Sequence, residues 1–259
     1  MKIVQMLSTI SYGDAIGNHV MALRDAIAGM GYETAVYAEN IHPKMKKELI
    51  QPIPKFFEIE EQDVILYHLS TGTKLNHALR KYPGRKIIIY HNITPPYFFR
   101  GYSASAVRLC TEGIRGMQRL AAEASYCLAV SSFNKDDLRK AGYHCKIDVL
   151  PVLIAFEDYE QKPNRRIIQN YAKDGYTNIL FTGRIAPNKK QEDVIRIFYQ
   201  YQKKYNPKSR LILVGSYEGM QNYYDRLLDY VDRLGMKNVI FTGHIRFQEC
   251  DRLSAITAQ

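Results

Sequence analysis

The sequence predicts an α/β fold with mostly parallel sheets in two domains, and three observations carry that prediction. Through the first half, short apolar runs rich in β-branched residues ("KIVQML", "TAVYA", "DVILY", "KIIIY", "YCLAV" and "KIDVL") are mostly separated by helical patterns. Such alternation marks a parallel sheet covered on both faces. In the second half, "NILFTGR", "RLILVGS" and "NVIFTGH" each end an apolar run in a glycine and a polar residue, which reads as three turns on one rim of a sheet. Finally, 259 residues exceed the common single-domain size.

The elements follow in order. After "KIVQML" the loop "SYGDAIGNHV" leads into the clearest helix, with Val20, Leu23, Ile27 and Met30 on one face and Gly31 as its stop. The texture changes after residue 151, where "PVLIAFEDYEQKPNRRIIQNYAKDGY" is charged and delays the next strand. This places a first domain at 1–155, a linker at 156–175 and a second domain at 176–259. The last segment is shorter than the roughly 100–150 residues typical of a domain. It ends in the helical-looking "DRLSAITAQ", so the second domain is expected to be incomplete.

"GRIAPNKKQED" places Arg184, Lys189 and Lys190 around a proline turn, ahead of a helix with Val194, Phe198, Tyr201 and Tyr205 on one face. That helix is expected to start near Lys189. Lysines at a helix N-terminus oppose its dipole by roughly 0.3–1 kcal/mol each. One explanation is a solvated turn balanced by Glu192 and Asp193. The other is a bound phosphate, since the cations follow a strand whose carboxyl end is where open α/β sheets bind ligands. The glycines of the three turns, Gly183, Gly215 and Gly243, allow sharp turning or close approach of a ligand, and at least one of them is read as turn punctuation.

Net charge +10 points to anionic partners, whether nucleotide phosphates, nucleic acid or an anionic membrane surface. The twenty tyrosines are dispersed and many sit at apolar periodic positions, which argues against a nucleic-acid partner. No GxGxxG follows the first strand, which argues against a dinucleotide-dependent reductase. The four cysteines form no CxxC pair and have no metal-ligand spacing, as expected of reduced thiols in the cytoplasm. No apolar run approaches the ~20 residues that cross a bilayer, so any membrane contact is expected to be peripheral. The stretch "RGYSASAVRLCTEGIRGMQRLAAEAS" carries Arg100, Arg108, Arg115 and Arg119. It is read either as a helix packed on the sheet with a solvated basic face or as a membrane-surface helix, with packing preferred.

The segments "GRIAPNKKQEDVI", "LILVGSYEG" and "NVIFTGHI", supported by "GDAIGNHVMAL", "YHNITPPYFF" and "AVSSFNKDDL", resemble the group 1 (family 4) glycosyltransferases of GT-B fold. The resemblance spans nearly the whole chain. It implies two Rossmann-like parallel-sheet domains facing a cleft, the second incomplete here. It also implies retaining transfer of a sugar from a nucleoside-diphosphate sugar to a hydroxyl of a glycan or lipid-linked acceptor. "YHNITPPYFF" is similar to members that build bacterial surface polysaccharides, often from mannose donors. The family needs no cofactor and no divalent metal, consistent with the lack of a DxD motif.

By the same resemblance Arg184 and Lys189 hold the donor diphosphate, and Lys190 is left to solvent. His91, with Asn92 beside it, matches the histidine near the transferred sugar, whereas His68 is read as a satisfied polar residue at a strand end. Gly13 and Gly17 correspond to the glycine-rich loop near the donor phosphates, although "DAI" separates them here. Asp14 either caps the first helix or meets an acceptor hydroxyl, with the cap preferred, and Ser131 either lines the cleft or caps a helix. The family's later "EGFG…E" segment does not occur in the sequence. The chain alone is therefore expected to be weakly active or inactive, and the alternative is a noncatalytic fragment or partner subunit that keeps nucleotide or acceptor binding.

Overall fold

Strand after strand, every ladder among the described residues is parallel. The computed structural model describes residues 1–45, 48–154, 171 and 174–245. Spatial contacts divide the chain into two compact units, Met1–Pro96 with Ser105–Ala155, and Tyr97–Ala104 with Phe156–Gln259. Apart from 171, 174 and 175, the expected linker 156–175 lies outside the described residues, as does the terminal "DRLSAITAQ".

The first unit holds β1 (Lys2–Ile10), β2 (Glu33–Ile41), β3 (Ile50–Pro52), β4 (Val64–Leu69), β5 (Arg85–Tyr90), β6 (Tyr126–Ala129) and β7 (Ile147–Val149) in the spatial order β3-β2-β1-β4-β5-β6-β7. All six runs expected in this half form strands, and β3 is an addition. It is a three-residue edge strand ending at Pro52, where a missing N–H costs nothing. The order reverses at β1 and β4, and such a switch point opens a crevice at the carboxyl ends of the strands.

Alternation along the strands sorts the core into two faces. Val4, Met6, Ile65, Tyr67, Leu69, Ile88 and Tyr90 face one side, where Met117 and Leu120 of α3 (Ala104–Leu120) cover them. Ile3, Leu66, Ile87 and Ile89 pack with Leu23 and Ile27 of α1 (Ala15–Gly29), and Leu7 packs with Val20. α1 ends as expected: Gly31 has φ +87°, and the Tyr32 N–H bonds the Ile27 carbonyl at 3.3 Å. Met30 is a correction to the expected face, since it is 71% exposed at the helix end.

α3 approaches the loop after β4 so closely that a β-carbon at Gly72 would stand 2.4 Å from the Leu109 carbonyl oxygen, and one at Gly113 2.8 Å from the Gly72 nitrogen. Arg108, Arg115 and Arg119 are exposed. This is the packed arrangement with a basic outer face. Short α2 (Leu75–Ala78) and α4 (Ser132–Lys140) complete the unit's helices among the described residues.

In the second unit, β8 (Thr177–Thr182), β9 (Ser209–Val214) and β10 (Val239–Gly243) form a sheet in the order β10-β9-β8, joined by α5 (Gln191–Lys204) and α6 (Gln221–Arg233). The buried face of α5 is Gln191, Ile195 and Phe198. This shifts the expected face, because Val194 and Tyr201 are only partly buried and Tyr205 lies beyond the helix, 78% exposed.

Candidate functional site

The turn that follows β8 places the cations. Pro187–Lys189 forms a single 3-10 turn, and α5 begins at Gln191 rather than near Lys189. Between them Lys190 adopts the left-handed conformation, φ 56°, and its side chain makes no capping bond. The start of the helix is therefore not closed by the side chain that normally satisfies its first N–H groups. Arg184, Lys189 and Lys190 are all exposed. The Arg184 guanidinium donates to the Glu218 carbonyl at 3.2 Å, which spends one of its five donors.

The backbone beneath these side chains is fixed. Gly183 N–H bonds the Val214 carbonyl and Ile185 N–H the Ser216 carbonyl, each at 2.9 Å, so the β8 ladder continues into the turn. Gln191, fully buried, donates to the Arg184 carbonyl at 2.8 Å and accepts from Ala186 N–H at 3.4 Å and from the Tyr223 hydroxyl at 3.3 Å. Sequence reasoning does not single out Gln191 and misses this clamp. Its signal was a polar residue one heptad before Phe198, on the face that packs inward.

The three rim glycines differ. A β-carbon at Gly215 would sit 1.9 Å from the Gly183 carbonyl oxygen, so Gly215 is required for two turns to pack together. Gly183 and Gly243 have positive φ, 150° and 68°, and Gly243 has open space where a side chain would be. A cavity of about 300 Å³ elsewhere in this unit is lined by Tyr102, Glu192, Arg196, Tyr223 and Arg226 among others, with neither Arg184 nor Lys189 in its wall.

In the first unit, His91 follows β5 and is hydrogen-bonded through its own N–H to the Leu69 carbonyl at 2.9 Å. Asn92 then turns the chain at φ 77°, a conformation Asn tolerates better than most residues, and the Tyr90 hydroxyl accepts from Ile93 N–H at 3.1 Å. His91 Nε2 lies 2.9 Å from His68 Nδ1, and His68 Nε2 lies 2.9 Å from Gln5 Oε1. The two imidazoles stack with centroids 5.2 Å apart, and His19 of α1 stands edge-on to His91 at 5.3 Å. His19 Nδ1 accepts from Leu153 N–H at 3.0 Å.

Burial, reinforced by the neighbouring rings, holds His68 well below the usual histidine range. Burial in the first place, and then His19, pushes His91 down to about 3, and burial also lowers His19. These are neutral rings. His68 is thus satisfied, as expected, but its partner is the candidate site residue itself. The sequence reading missed Gln5 and His19. The available signal was a polar residue in the middle of the apolar strand "KIVQML" and an imidazole inside the helix run "NHVMAL".

On the loop after β1, Asp14 caps α1 by accepting from Gly17 N–H. A β-carbon at Gly17 would meet the Ser11 carbonyl oxygen at 2.4 Å, so this glycine lets the helix close onto the loop. Gly13, at φ 76°, is exposed with open space beside it. Ser131 caps α4, accepting from Asn134 N–H at 3.2 Å. Among the described residues, Cys110, Cys127 and Cys145 are free thiols, and no helix is long and apolar enough to cross a membrane.

Solved structures share this arrangement. The chain aligns over 99% of its length with 74% of sucrose-phosphate synthase from Thermosynechococcus elongatus, at TM-score 0.70 and 13% identity. It aligns over 99% with 72% of Anabaena HepE in complex with UDP-glucose, at TM-score 0.67 and 17% identity. WaaG, a glycosyltransferase involved in lipopolysaccharide biosynthesis, matches over 98% of this chain and 72% of its own, at TM-score 0.62 and 15% identity. Its fold is that of the GT-B glycosyltransferases. No protein-family model and no curated protein sequence matches the chain.

Proposed function

We propose that this protein transfers a sugar from a nucleoside-diphosphate sugar to a hydroxyl acceptor, with Arg184 and Lys189 holding the donor diphosphate. The observation that carries this reading is the exposed cation turn on a rigid backbone at the carboxyl end of β8. Breaking the sugar–phosphate bond puts growing negative charge on the leaving diphosphate, and cations fixed there favour the transition state over the ground state. Arginine offers a planar fork to phosphate oxygens and lysine a compact point charge. The uncapped start of α5 adds a favourable dipole. HepE, which shares the fold, has been solved with UDP-glucose, with UDP, and with UDP and glucose.

In the same reading His91 hydrogen-bonds the transferred sugar, Asn92 holds its turn, and Gly13 and Gly183 leave room for the donor. Gly17 and Gly215 shape the loops from beneath. Asp14, Asn92 and Ser131 stand on the acceptor side, no divalent metal takes part, and the anomeric configuration is retained. A glycan or lipid-linked acceptor, a mannose donor, surface-polysaccharide synthesis and a peripheral position on the cytoplasmic face of a membrane belong to the finer part of the proposal. The basic outer face of α3 supports the membrane position.

Calorimetric titration with UDP and GDP tests the donor site. Charge-assisted contacts contribute about 1.5–3 kcal/mol each, so Arg184→Ala with Lys189→Ala is expected to weaken binding by about 100-fold or more while the chain stays folded. Unchanged affinity in the double variant removes the diphosphate assignment. Donor binding without sugar transfer would instead support a noncatalytic role for the chain.

A further inference from the structure

A hydrogen-bonded wire of fixed direction runs through the first unit to His91. It starts at the Val20 carbonyl, which can only accept, and which takes a hydrogen bond from Gln5 Nε2 at 3.0 Å. The amide of Gln5 is thereby oriented, and its Oε1, the acceptor end, faces His68 Nε2. His68 Nε2 must then carry the proton. In a neutral ring the other nitrogen is a bare lone pair, so His68 Nδ1 accepts, and the proton of the 2.9 Å contact belongs to His91 Nε2.

The same rule applied once more leaves His91 Nδ1 unprotonated. That atom is buried and has no hydrogen-bond partner among the described residues. A buried polar atom without a partner costs about 1–3 kcal/mol and is normally explained by something that binds there. Gln5 and His68 are 0% and 1% exposed, so solvent does not compete for the wire.

We infer that Gln5 and His68 are positioning residues that fix His91 as the Nε2–H tautomer, so that Nδ1 presents a lone pair and selects a hydroxyl. An acceptor of this kind takes a donor group and rejects a fully ionised oxyanion such as a carboxylate or sulfate, which offers no proton. The role assigned to that hydroxyl, part of a sugar, rests on the proposed transferase reading, whereas the direction of the wire does not.

Nitrogen-15 NMR of the chain labelled at histidine reads the tautomers directly, without substrate. Both His68 and His91 are expected as Nε2–H forms at neutral pH, each with an unprotonated signature at Nδ1. An Nδ1–H form or a charged ring at His91 overturns the inference. Gln5→Met removes the acceptor that orders the wire, and is expected to turn the His91 signature into a mixture of tautomers; an unchanged signature in folded Gln5→Met also overturns it. Titration with glucose is expected to shift His91 Nδ1 while sulfate, which has no proton to donate at neutral pH, does not. The reverse order, or no response to either, removes the hydroxyl assignment. Failure to bind UDP or GDP alongside the expected tautomers would remove the donor-site reading alone.

Discussion

Gly215→Ala is expected to damage the cation turn after β8 more than any other small substitution on the rim of the second sheet. The added β-carbon would stand 1.9 Å from the Gly183 carbonyl oxygen, 2.6 Å from its carbon and 3.2 Å from Arg184 Cα. Since ordinary carbon contacts begin near 3.5 Å, the two turns must separate by roughly 1.5 Å. They are tied together by Gly183 N–H to the Val214 carbonyl and Ile185 N–H to the Ser216 carbonyl, each at 2.9 Å, and Gly215 N–H ties the second of them to the Gly243 carbonyl of the third turn at 3.1 Å. Overpacking costs about 1–3 kcal/mol, and a side chain at the φ of +154° found here adds about 1–3 kcal/mol. The expected loss is therefore about 2–6 kcal/mol, confined to the second unit, together with weaker UDP binding as Arg184 moves. Hydrogen exchange of the β8 and β9 amides measures it. Gly243→Ala, at φ 68° with open space beside it, is the control and is expected to cost about 1 kcal/mol. A Gly215→Ala loss no greater than that of the control would refute the close-packing argument.

Gln191→Leu leaves the Arg184 carbonyl and Ala186 N–H without their partner, and at about 1–3 kcal/mol for each buried orphan it is expected to destabilise the second unit and weaken UDP binding; calorimetry against wild type measures both. Lys190→Gly relieves a left-handed residue and is expected to raise the melting temperature slightly, by no more than about 1 kcal/mol of stability, without changing UDP affinity. At Asn92, also left-handed, Ala is expected to cost about 1 kcal/mol and Gly less, with urea unfolding as the readout. His19, His68 and His91 all titrate below the usual histidine value in the folded chain, so the unfolded state binds protons first. Stability is fully present above about pH 6.5 and falls as the pH drops, by about 1.4 kcal/mol per pH unit for each ring that stays neutral. For His91 the loss continues to about 3. Urea midpoints of the first unit at pH 7 and pH 5 test this, and equal midpoints would contradict the buried neutral cluster.

Local pattern was enough for much of the fold. The six apolar runs of the first half and the three glycine-terminated runs of the second all became parallel strands, because a strand buried on both faces must be apolar along its length and a βα turn must bend sharply. Helix ends were partly legible: Asp14 and Gly31 act within a few residues of themselves and are read as helix ends, whereas Ser131 stays open between a cap and the cleft until the structure shows it capping α4. Exact packing faces were not. Phe198 was placed inward correctly, but Tyr205 was not, since the end of α5 is set by tertiary contact and periodicity alone carries past it.

What the sequence determined by itself is the order of strands and turns, and the grouping of Arg184 and Lys189, because neighbours in the chain stay neighbours on one short turn. What only the tertiary structure decided is which distant residues share a task. Gly215 fits under Gly183 because β8 and β9 pair. Gln191 holds the Arg184 carbonyl because α5 folds back against the turn. Gln5, His19, His68 and His91 meet because the sheet reverses its order at β1 and β4, and no local period in the sequence encodes that reversal.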